Sequence, residues 1–186
     1  MSEADIRIKL PDGSVREVAR STTGEDIATS IGPGLAKAAL AARVDGALVD
    51  LKLPIDQDVE LSLITARDEE DALDLIRHDA AHVLAQAVQE LFPGTQVTIG
   101  PVIEDGFYYD FYREAPFTPD DFEAMEKRMQ EIVDRDEEIV REIWDRDAAV
   151  KHFSDAGETF KANHVKTIPA EEDISIYRQG DWLDLC

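Results

Sequence analysis

The stretch LDLIRHDAAHVLAQAVQEL, residues 73–91, decides how the second half of this 186-residue chain folds. Apolar residues recur in it at intervals of three and four, which predicts one long amphipathic helix. We assign the following residues to its buried face: Leu73, Ile76, Ala80, Val83, Leu84, Ala87, Val88 and Leu91. His78 and His82 point the opposite way, on a line with Ala85 and Gln89, so we expect them to face solvent, a partner or a cleft. Their i, i+4 spacing lets the two imidazoles share one water, one metal ion or one substrate atom.

The residues before this helix predict a small α+β domain. Alternating apolar residues on both sides of Pro11-Asp12-Gly13 indicate a hairpin, and Thr22 with Glu25 has the spacing of a helix capping box. Gly32-Pro33-Gly34 should end that helix, and Asp45-Gly46 should join two further strands. A last alternating strand follows, formed by Val59, Leu61 and Leu63. This order in about sixty-five residues favours a ubiquitin-like β-grasp, so we divide the chain into domains 1–65 and 66–186.

The residues after the helix continue the α+β pattern. VTIGPVIEDGFYYDF, residues 97–111, predicts two strands with Asp105-Gly106 in the turn. Phe117-Thr118-Pro119 should introduce one long acidic helix. Its apolar stripe is predicted to run through Phe122, Met125, Met129, Ile132, Val133, Val140, Ile143 and Trp144. A short helix over about 147–156 and strand material at the end of the chain complete the second domain.

The composition argues against a disulfide-bonded, secreted or membrane-spanning protein, and its acidity restricts how the chain could bind RNA. Cys186 is the only cysteine, so no intrachain disulfide can form and a reducing cytoplasm is expected. The N-terminal residues do not have the pattern of a signal peptide, and no apolar stretch is long enough to cross a bilayer. The formal net charge is −22, so the chain should repel nucleic acid unless positive charge is concentrated locally. Any function that involves RNA must satisfy that condition.

The order of motifs resembles a known family. A β-grasp unit, HDAAH (78–82), GPVIEDGFYYDF (100–111), a long acidic helix and DWLDLC (181–186) follow one another as in the N-terminal half of bacterial-type threonyl-tRNA synthetases. The resemblance covers essentially the whole chain. It implies a TGS domain followed by an editing domain of the threonyl/alanyl-tRNA synthetase type. It also implies a truncated chain, because the family's closing CxxxH motif would extend past Cys186 and the class II catalytic core would follow.

The resemblance also implies which residues form the editing site. His78 and His82 match the family's HxxxH, Lys161 matches its lysine, and Cys186 matches its cysteine. Asp184 belongs to the same strand as Cys186. Tyr177 and Gly100 fall where the family lines the amino-acid and adenosine site. The threonine-specific site is expected to work without metal, and if zinc does bind, the expected ligands are His78, His82 and Cys186.

The implied reaction is hydrolysis of the ester of mischarged seryl-tRNA(Thr). Serine lacks only one methyl group of threonine, and selection against it in a binding pocket is worth about 1–3 kcal/mol, which is too little for accurate translation. Hydrolysis needs a positioned water and a group to take its proton, which an imidazole can do. His78 and His82 both remain candidates for the base. Lys161 could stabilise the oxyanion or the ribose, Asp184 could bind the substrate ammonium or orient a histidine, and Cys186 lines the site without needing to act as a nucleophile.

Several further expectations follow from the resemblance. The editing reaction needs no cofactor, whereas the parent enzyme would use ATP, Mg and zinc in its catalytic core. The expected partner is tRNA(Thr), and no membrane is expected to bind. The parent enzyme would be a homodimer that forms through its catalytic core. A different class of function remains open, because without the closing histidine the chain could serve as a non-catalytic module that docks tRNA or a protein. HDAAH also resembles the zinc-peptidase motif HExxH, but no third-ligand motif follows it.

Overall fold

The computed structural model describes residues 5–186. The described chain divides between Leu75 and Ile76 into two compact units, called unit 1 and unit 2 below. None of the described helices combines the length and the apolar character that crossing a bilayer requires.

Unit 1 is a five-stranded mixed sheet with helices between its second and third strands. Its elements are β1 (Ile6–Lys9), β2 (Val15–Val18), α1 (Gly24–Ile31), α2 (Pro33–Ala38), β3 (Ala39–Val44), β4 (Ala47–Val49) and β5 (Val59–Thr65). The strand order is β2-β1-β5-β3-β4, and β1 pairs with β5 in parallel at the centre. This topology is a β-grasp, so the predicted fold class of the first domain is confirmed.

The core of unit 1 forms because every second residue of β1 and β5 points to the same face of the sheet. Ile8 and Leu61 are almost fully buried there, and Ile27 of α1 packs against them. The predicted capping box at Thr22 and Glu25 is wrong by one residue. Thr23 Oγ1 accepts from the amide of Asp26, whose carboxylate accepts in return from the Thr23 amide. The backbone of Thr22 instead forms a β-bridge with Ile55, which fixes where the helix begins.

The long helix α3 (Glu69–Leu91) crosses the division and leads into unit 2. The remaining elements are β6 (Gln96–Val97), β7 (Val102–Ile103), β8 (Gly106–Phe107), β9 (Phe111–Tyr112), α4 (Pro119–Asp134), β10 (Ile139–Trp144), α5 (Arg146–Asp155), α6 (Thr159–Thr167), β11 (Ile174–Gln179) and β12 (Trp182–Leu185). Strands β10, β11 and β12 form an antiparallel sheet in that order. The predicted α+β class therefore holds for both units.

The prediction of one acidic helix running to Trp144 is wrong. Helix α4 ends at Asp134, and Asp136 has a left-handed backbone with φ of 49° that turns the chain away from the helix. The residues from Ile139 onwards then form β10, which pairs along its full length with β11. Ile and Val fit an extended backbone well, and their spacing of three here matched the helical period only by coincidence.

The three-stranded sheet has one buried face and one that carries polar residues. Its buried face packs on α5 and α6 through a core of Ala149, Phe153, Ala162, Val165, Ile174 and Ile176. The opposite face, called the site face below, carries the alternate residues of each strand, because side chains alternate along a strand. Asp184 and Tyr177 are direct cross-strand partners on it. The sheet therefore holds two of the predicted site residues side by side.

The predicted hairpin over residues 97–111 is interrupted. Its ladder breaks into two short pairs, β6 with β9 and β7 with β8, instead of two continuous strands. Gly100 lies at the break, and a Cβ built there would be 2.2 Å from Cδ2 of Tyr109. The ring of Tyr109 occupies the space that a side chain at position 100 would need, and backbone hydrogen bonds from Asp110 to Ile99 and from Tyr108 to Pro101 span the gap between the two pairs.

The two faces of α3 agree with the prediction only in part, since Ala87 and Val88 are fully buried as expected. Leu73 and Ile76, assigned to the buried face, are 46% and 59% exposed. Ala81 and Ala85, on the side of the histidines, are almost fully buried. The small alanine side chains let unit 2 pack closely on the histidine side, so that side is an interior face and not a solvated one.

Candidate active site

One hydrogen-bonded chain joins α3 to β12. His82 Nδ1 lies 2.8 Å from Asp184 Oδ2, and His82 Nε2 lies 3.2 Å from His78 Nε2. His78 Nε2 in turn lies 3.0 Å from Cys186 Sγ. The two histidines are one turn apart on the helix. Asp184 lies in β12, and Cys186 follows directly after that strand, where its amide still donates to the carbonyl of Ser175 and its side chain faces the same way as that of Asp184. Two regular elements thus place four reactive side chains in sequence.

The partners of Asp184 determine how the hydrogens are arranged. Its Oδ1 accepts from the amide of Leu185 and contacts Lys161 Nζ, and its Oδ2 accepts from His82 Nδ1 and from the hydroxyl of Tyr109 at 3.0 Å. A carboxylate with this many donors stays ionised and can only accept. His82 Nδ1 therefore carries a hydrogen and donates it to Asp184, and His82 Nε2 faces His78.

Lys161 is a buried amine, with only 2% of its side chain exposed. It contacts Asp184, and its Nζ donates to the Tyr109 hydroxyl at 3.3 Å. Burial lowers the pKa of Lys161 to about 7, against the attraction of Glu158 and Cys186, which favours the charged amine. Burial likewise raises the pKa of Tyr109 above its ordinary value, so the phenol stays protonated and donates. Lys161 thus contacts Oδ1 of Asp184, and Tyr109 donates to Oδ2, the oxygen that also accepts from His82.

The thiol of Cys186 has an altered acidity. Partial burial opposes its ionisation, but hydrogen bonds with His78 and His82, together with their charges, outweigh this and lower the pKa of Cys186 to about 6. The thiol is therefore more acidic than that of an ordinary cysteine.

A second layer of polar residues surrounds the cluster. Trp182 Nε1 donates to Gln89 Oε1 at 2.8 Å, and the Gln89 amide nitrogen donates to Glu158. Glu158 also accepts from the Val97 amide at 3.1 Å, and burial raises the pKa of its carboxyl group. The Trp182 ring meets His82 edge to face, with centroids 6.2 Å apart. These contacts hold α3, β12 and the start of α6 in a fixed arrangement around His82.

The structure brings together most of the residues singled out in the sequence. His78, His82, Lys161, Asp184 and Cys186 form one contiguous cluster. Their assignment as catalytic and substrate-binding residues remains a prediction, since geometry alone does not test it.

Two predicted site residues lie next to this cluster. Tyr177 neighbours Asp184 on the site face, where it was expected to line the site. Gly100 lies against the ring of Tyr109, so its position bears on the cluster through that ring.

Sequence reasoning missed Tyr109 and Glu158. Tyr109 stands in the quoted GFYYDF motif, where two adjacent tyrosines of a hairpin point to opposite faces and one of them must point inward. Glu158 lies three residues before Lys161, next to the turn formed by Gly157 with its φ of 80°. A buried lysine needs nearby acidic groups, so the identification of Lys161 was itself a signal to look for them.

Three side chains of the cluster are also of the kind that can hold a metal ion. Donor atoms of His78, His82 and Cys186 lie within 4.8 Å of one another. Two imidazoles and a thiolate are typical zinc ligands, and the bond from His82 to Asp184 is the kind of contact that orients such a ligand. That the site works without metal therefore stays a prediction, with these three residues as the alternative ligand set.

Comparison with known proteins shows which proteins the chain is similar to. Residues 6–65 match the TGS domain family. Over 181 residues, 97% of this chain, the sequence is 64% identical to the Threonine--tRNA ligase of Rhodospirillum rubrum, of which it covers 28%. It is 63% identical over 182 residues to that of Thiobacillus denitrificans and 62% identical over 181 residues to that of Paramagnetospirillum magneticum, again covering 97% of this chain and 28% of each relative.

The chain thus carries a TGS domain that coincides with the β-grasp of unit 1. Over almost its whole length it is similar to Threonine--tRNA ligases, and it spans 28% of the length of the relatives it matches. The resemblance seen in the sequence is confirmed.

Proposed function

We propose that this chain hydrolyses the ester bond of seryl-tRNA(Thr) and so removes serine from wrongly charged tRNA in the cytoplasm. The observation that carries the proposal is the chain of contacts from Asp184 through His82 and His78 to Cys186. The similarity supports the substrate, because the relatives are Threonine--tRNA ligases and serine differs from threonine by only one methyl group.

In the proposed mechanism the imidazole pair takes the proton of the attacking water. The water oxygen bonds to the ester carbonyl carbon, and the bond to the ribose oxygen then breaks, releasing serine and tRNA with a free hydroxyl. The proton returns from the imidazole to that leaving oxygen. Asp184 stabilises the positive charge that His82 acquires, because its carboxylate lies 2.8 Å from Nδ1. We therefore assign the charge-carrying role to His82, and the positioning of the water to His78 and Cys186.

In this proposal Asp184 takes one of its two expected roles, and Lys161 takes a role different from the one first expected. Both oxygens of Asp184 are already occupied by donors from the protein, which favours orientation of His82 over binding of a substrate ammonium. Lys161 is buried behind Asp184, so we assign it as a positioning residue that keeps the carboxylate ionised, and not as a direct oxyanion donor. Tyr109 supports the same carboxylate.

The first test is deacylation of radiolabelled seryl-tRNA(Thr) by the purified chain. Hydrolysis is expected for the seryl ester and not for threonyl-tRNA(Thr). His82→Ala should lower the rate by about a hundredfold or more, as expected when a general base is lost. His164→Ala is the matched control, because this exposed histidine of α6 lies outside the cluster, and its rate should not change. Retained tRNA binding with no hydrolysis by the unmodified chain would favour the docking-module alternative.

A further inference from the structure

The site face of the three-stranded sheet continues past the cluster toward β10. Asp184 of β12 is paired with Tyr177 of β11, and Tyr177 is paired with Arg141 of β10. All three side chains point to the same face, because direct cross-strand partners in an antiparallel pair share a face. Adjacent strands lie about 4.8 Å apart, so the backbones at Asp184 and Arg141 are separated by about 10 Å. The row Asp184, Tyr177 and Arg141 thus leads outward from the candidate active site.

Arg141 is the basic residue of this row. Its Nε donates to Ser175 Oγ at 2.8 Å, and within residues 5–186 it makes no ion pair with a carboxylate. Arg178, one strand away on the opposite face, is paired with Glu142 at 2.9 Å. With 41 acidic and 19 basic side chains in the sequence, a guanidinium held by a hydroxyl alone provides the local positive charge that binding of RNA requires.

Exposed apolar side chains flank Arg141 on the same face. Ile139 and Ile143 lie two residues to either side of it on β10 and are 45% and 49% exposed. We call Ile139, Arg141 and Ile143 the β10 strip. A sheet face that presents a cation between apolar side chains, with an aromatic residue beside it, suits single-stranded nucleic acid, because bases pack on the flat surface and phosphates pair with the cation.

We propose that the β10 strip binds the nucleotide that precedes the terminal one in an aminoacylated RNA, with Arg141 contacting the phosphate that joins the two. This inference rests on the proposed ester hydrolysis, which places the terminal ribose at the histidine pair. The terminal nucleoside then lies over Tyr177, and the chain of the RNA leaves across β10. The strip supplies affinity and direction for the strand and takes no part in the chemical step.

The kinetic test compares a substrate that has this phosphate with one that lacks it. Arg141→Gln should raise KM for seryl-tRNA(Thr) roughly tenfold or more with kcat nearly unchanged, because a charge-assisted contact is lost. It should leave the hydrolysis of 3′-O-seryl-adenosine unaltered. The dependence of log KM on log salt concentration should become shallower by about 0.7, as expected when one contact to single-stranded phosphate is removed. Arg141→Lys retains the positive charge, so its KM should rise less than that of Arg141→Gln. Arg178→Gln, on the opposite face, is the matched control and should leave KM unchanged.

The results separate failure of this inference from failure of the proposed function. If the unmodified chain hydrolyses both substrates and Arg141→Gln changes neither, the strip does not bind RNA and the inference is overturned. If the unmodified chain hydrolyses neither, the ester hydrolysis itself is wrong.

A binding measurement gives a second readout without chemistry. In amide NMR spectra of the labelled chain, the trinucleotide CCA should shift the signals of Arg141 and Ile143, whereas adenosine should shift signals near Tyr177 only. Equal perturbation of β10 by both ligands, or by neither, would overturn the inference.

Discussion

Replacing Asp184 with asparagine should destabilise unit 2 by removing a buried charge and not by removing volume. The carboxylate is 1% exposed, contacts the ammonium of Lys161, and accepts from His82 and Tyr109. Asparagine has nearly the same shape, so no cavity forms. It leaves the ammonium without its counter-charge and brings an NH₂ group into a site whose other groups already donate.

The expected size follows from the burial of the pair. Removing one member of a buried ion pair costs about 3–5 kcal/mol, because the other charge is left uncompensated. Lys161→Met in the same chain removes that charge, so the double variant should recover most of the loss. The effects of Asp184→Asn and Lys161→Met should therefore be non-additive by about 2–3 kcal/mol.

Urea unfolding followed by tryptophan fluorescence measures this effect in unit 2 alone. The sequence has two tryptophans, Trp144 and Trp182, and both lie in that unit. With a denaturant slope of about 1–3 kcal/mol per M, the midpoint for Asp184→Asn should fall by at least about 1 M. Asp155→Asn, at an exposed position of α5, is the matched control and should not shift it. An unchanged midpoint for Asp184→Asn, or strictly additive effects in the double variant, would refute the reasoning.

Three more predictions concern the same cluster. Gly100→Ala should lower the kcat of seryl-ester hydrolysis about tenfold or more. The new Cβ would lie 2.2 Å from Cδ2 of Tyr109, so the ring must move, and its hydroxyl would no longer be held against Asp184. The stability of unit 2 should rise between pH 6 and 9, because the pKa of Cys186 is lowered from 9.0 to about 6 on folding and the unfolded chain binds more protons in that window. Urea midpoints across this range should show a shallower rise for Cys186→Ser. Finally, treatment with a chelator should leave the rate of hydrolysis unchanged. Two results together would show instead that the site uses metal. One is loss of activity on chelation, and the other is a thiolate-to-cobalt absorption band that appears on adding Co²⁺ and is lost in Cys186→Ser.

The sequence allowed the β-grasp to be predicted because local signals agreed with the final structure. Alternating strands, an Asp45-Gly46 turn and a glycine-proline stop each specify one piece, and together they leave few topologies. The error at α4 and β10 has the opposite origin. Val140 and Ile143 continued the helical spacing of the residues before them, and the left-handed turn at Asp136 has no strong local signature. Pairing with β11, more than thirty residues later in the chain, determines that segment.

The sequence allowed the residues of the candidate site to be predicted, but not the hydrogen bonds and ion pairs between them. The motifs placed His78, His82, Lys161 and Asp184 in one site, yet nothing in the sequence shows that Asp184 accepts from His82 or that Lys161 is buried behind it. Burial depends on packing among segments far apart in the chain, and spacing within a motif carries no information about that. The same reason explains why Tyr109 was missed although its motif was recognised.

The distances along the chain between the members of the cluster have a consequence for when it can react. His82 and Asp184 are separated by 102 residues, and His78 and Cys186 by 108. Contacts between such distant residues form only after the intervening chain has been ordered, since closing long loops costs entropy. A newly made or partly unfolded chain would therefore have histidines and a thiol of ordinary reactivity. In the proposed hydrolase, completed folding of unit 2 is what switches on the proofreading chemistry, so aminoacyl esters are safe from incompletely folded copies.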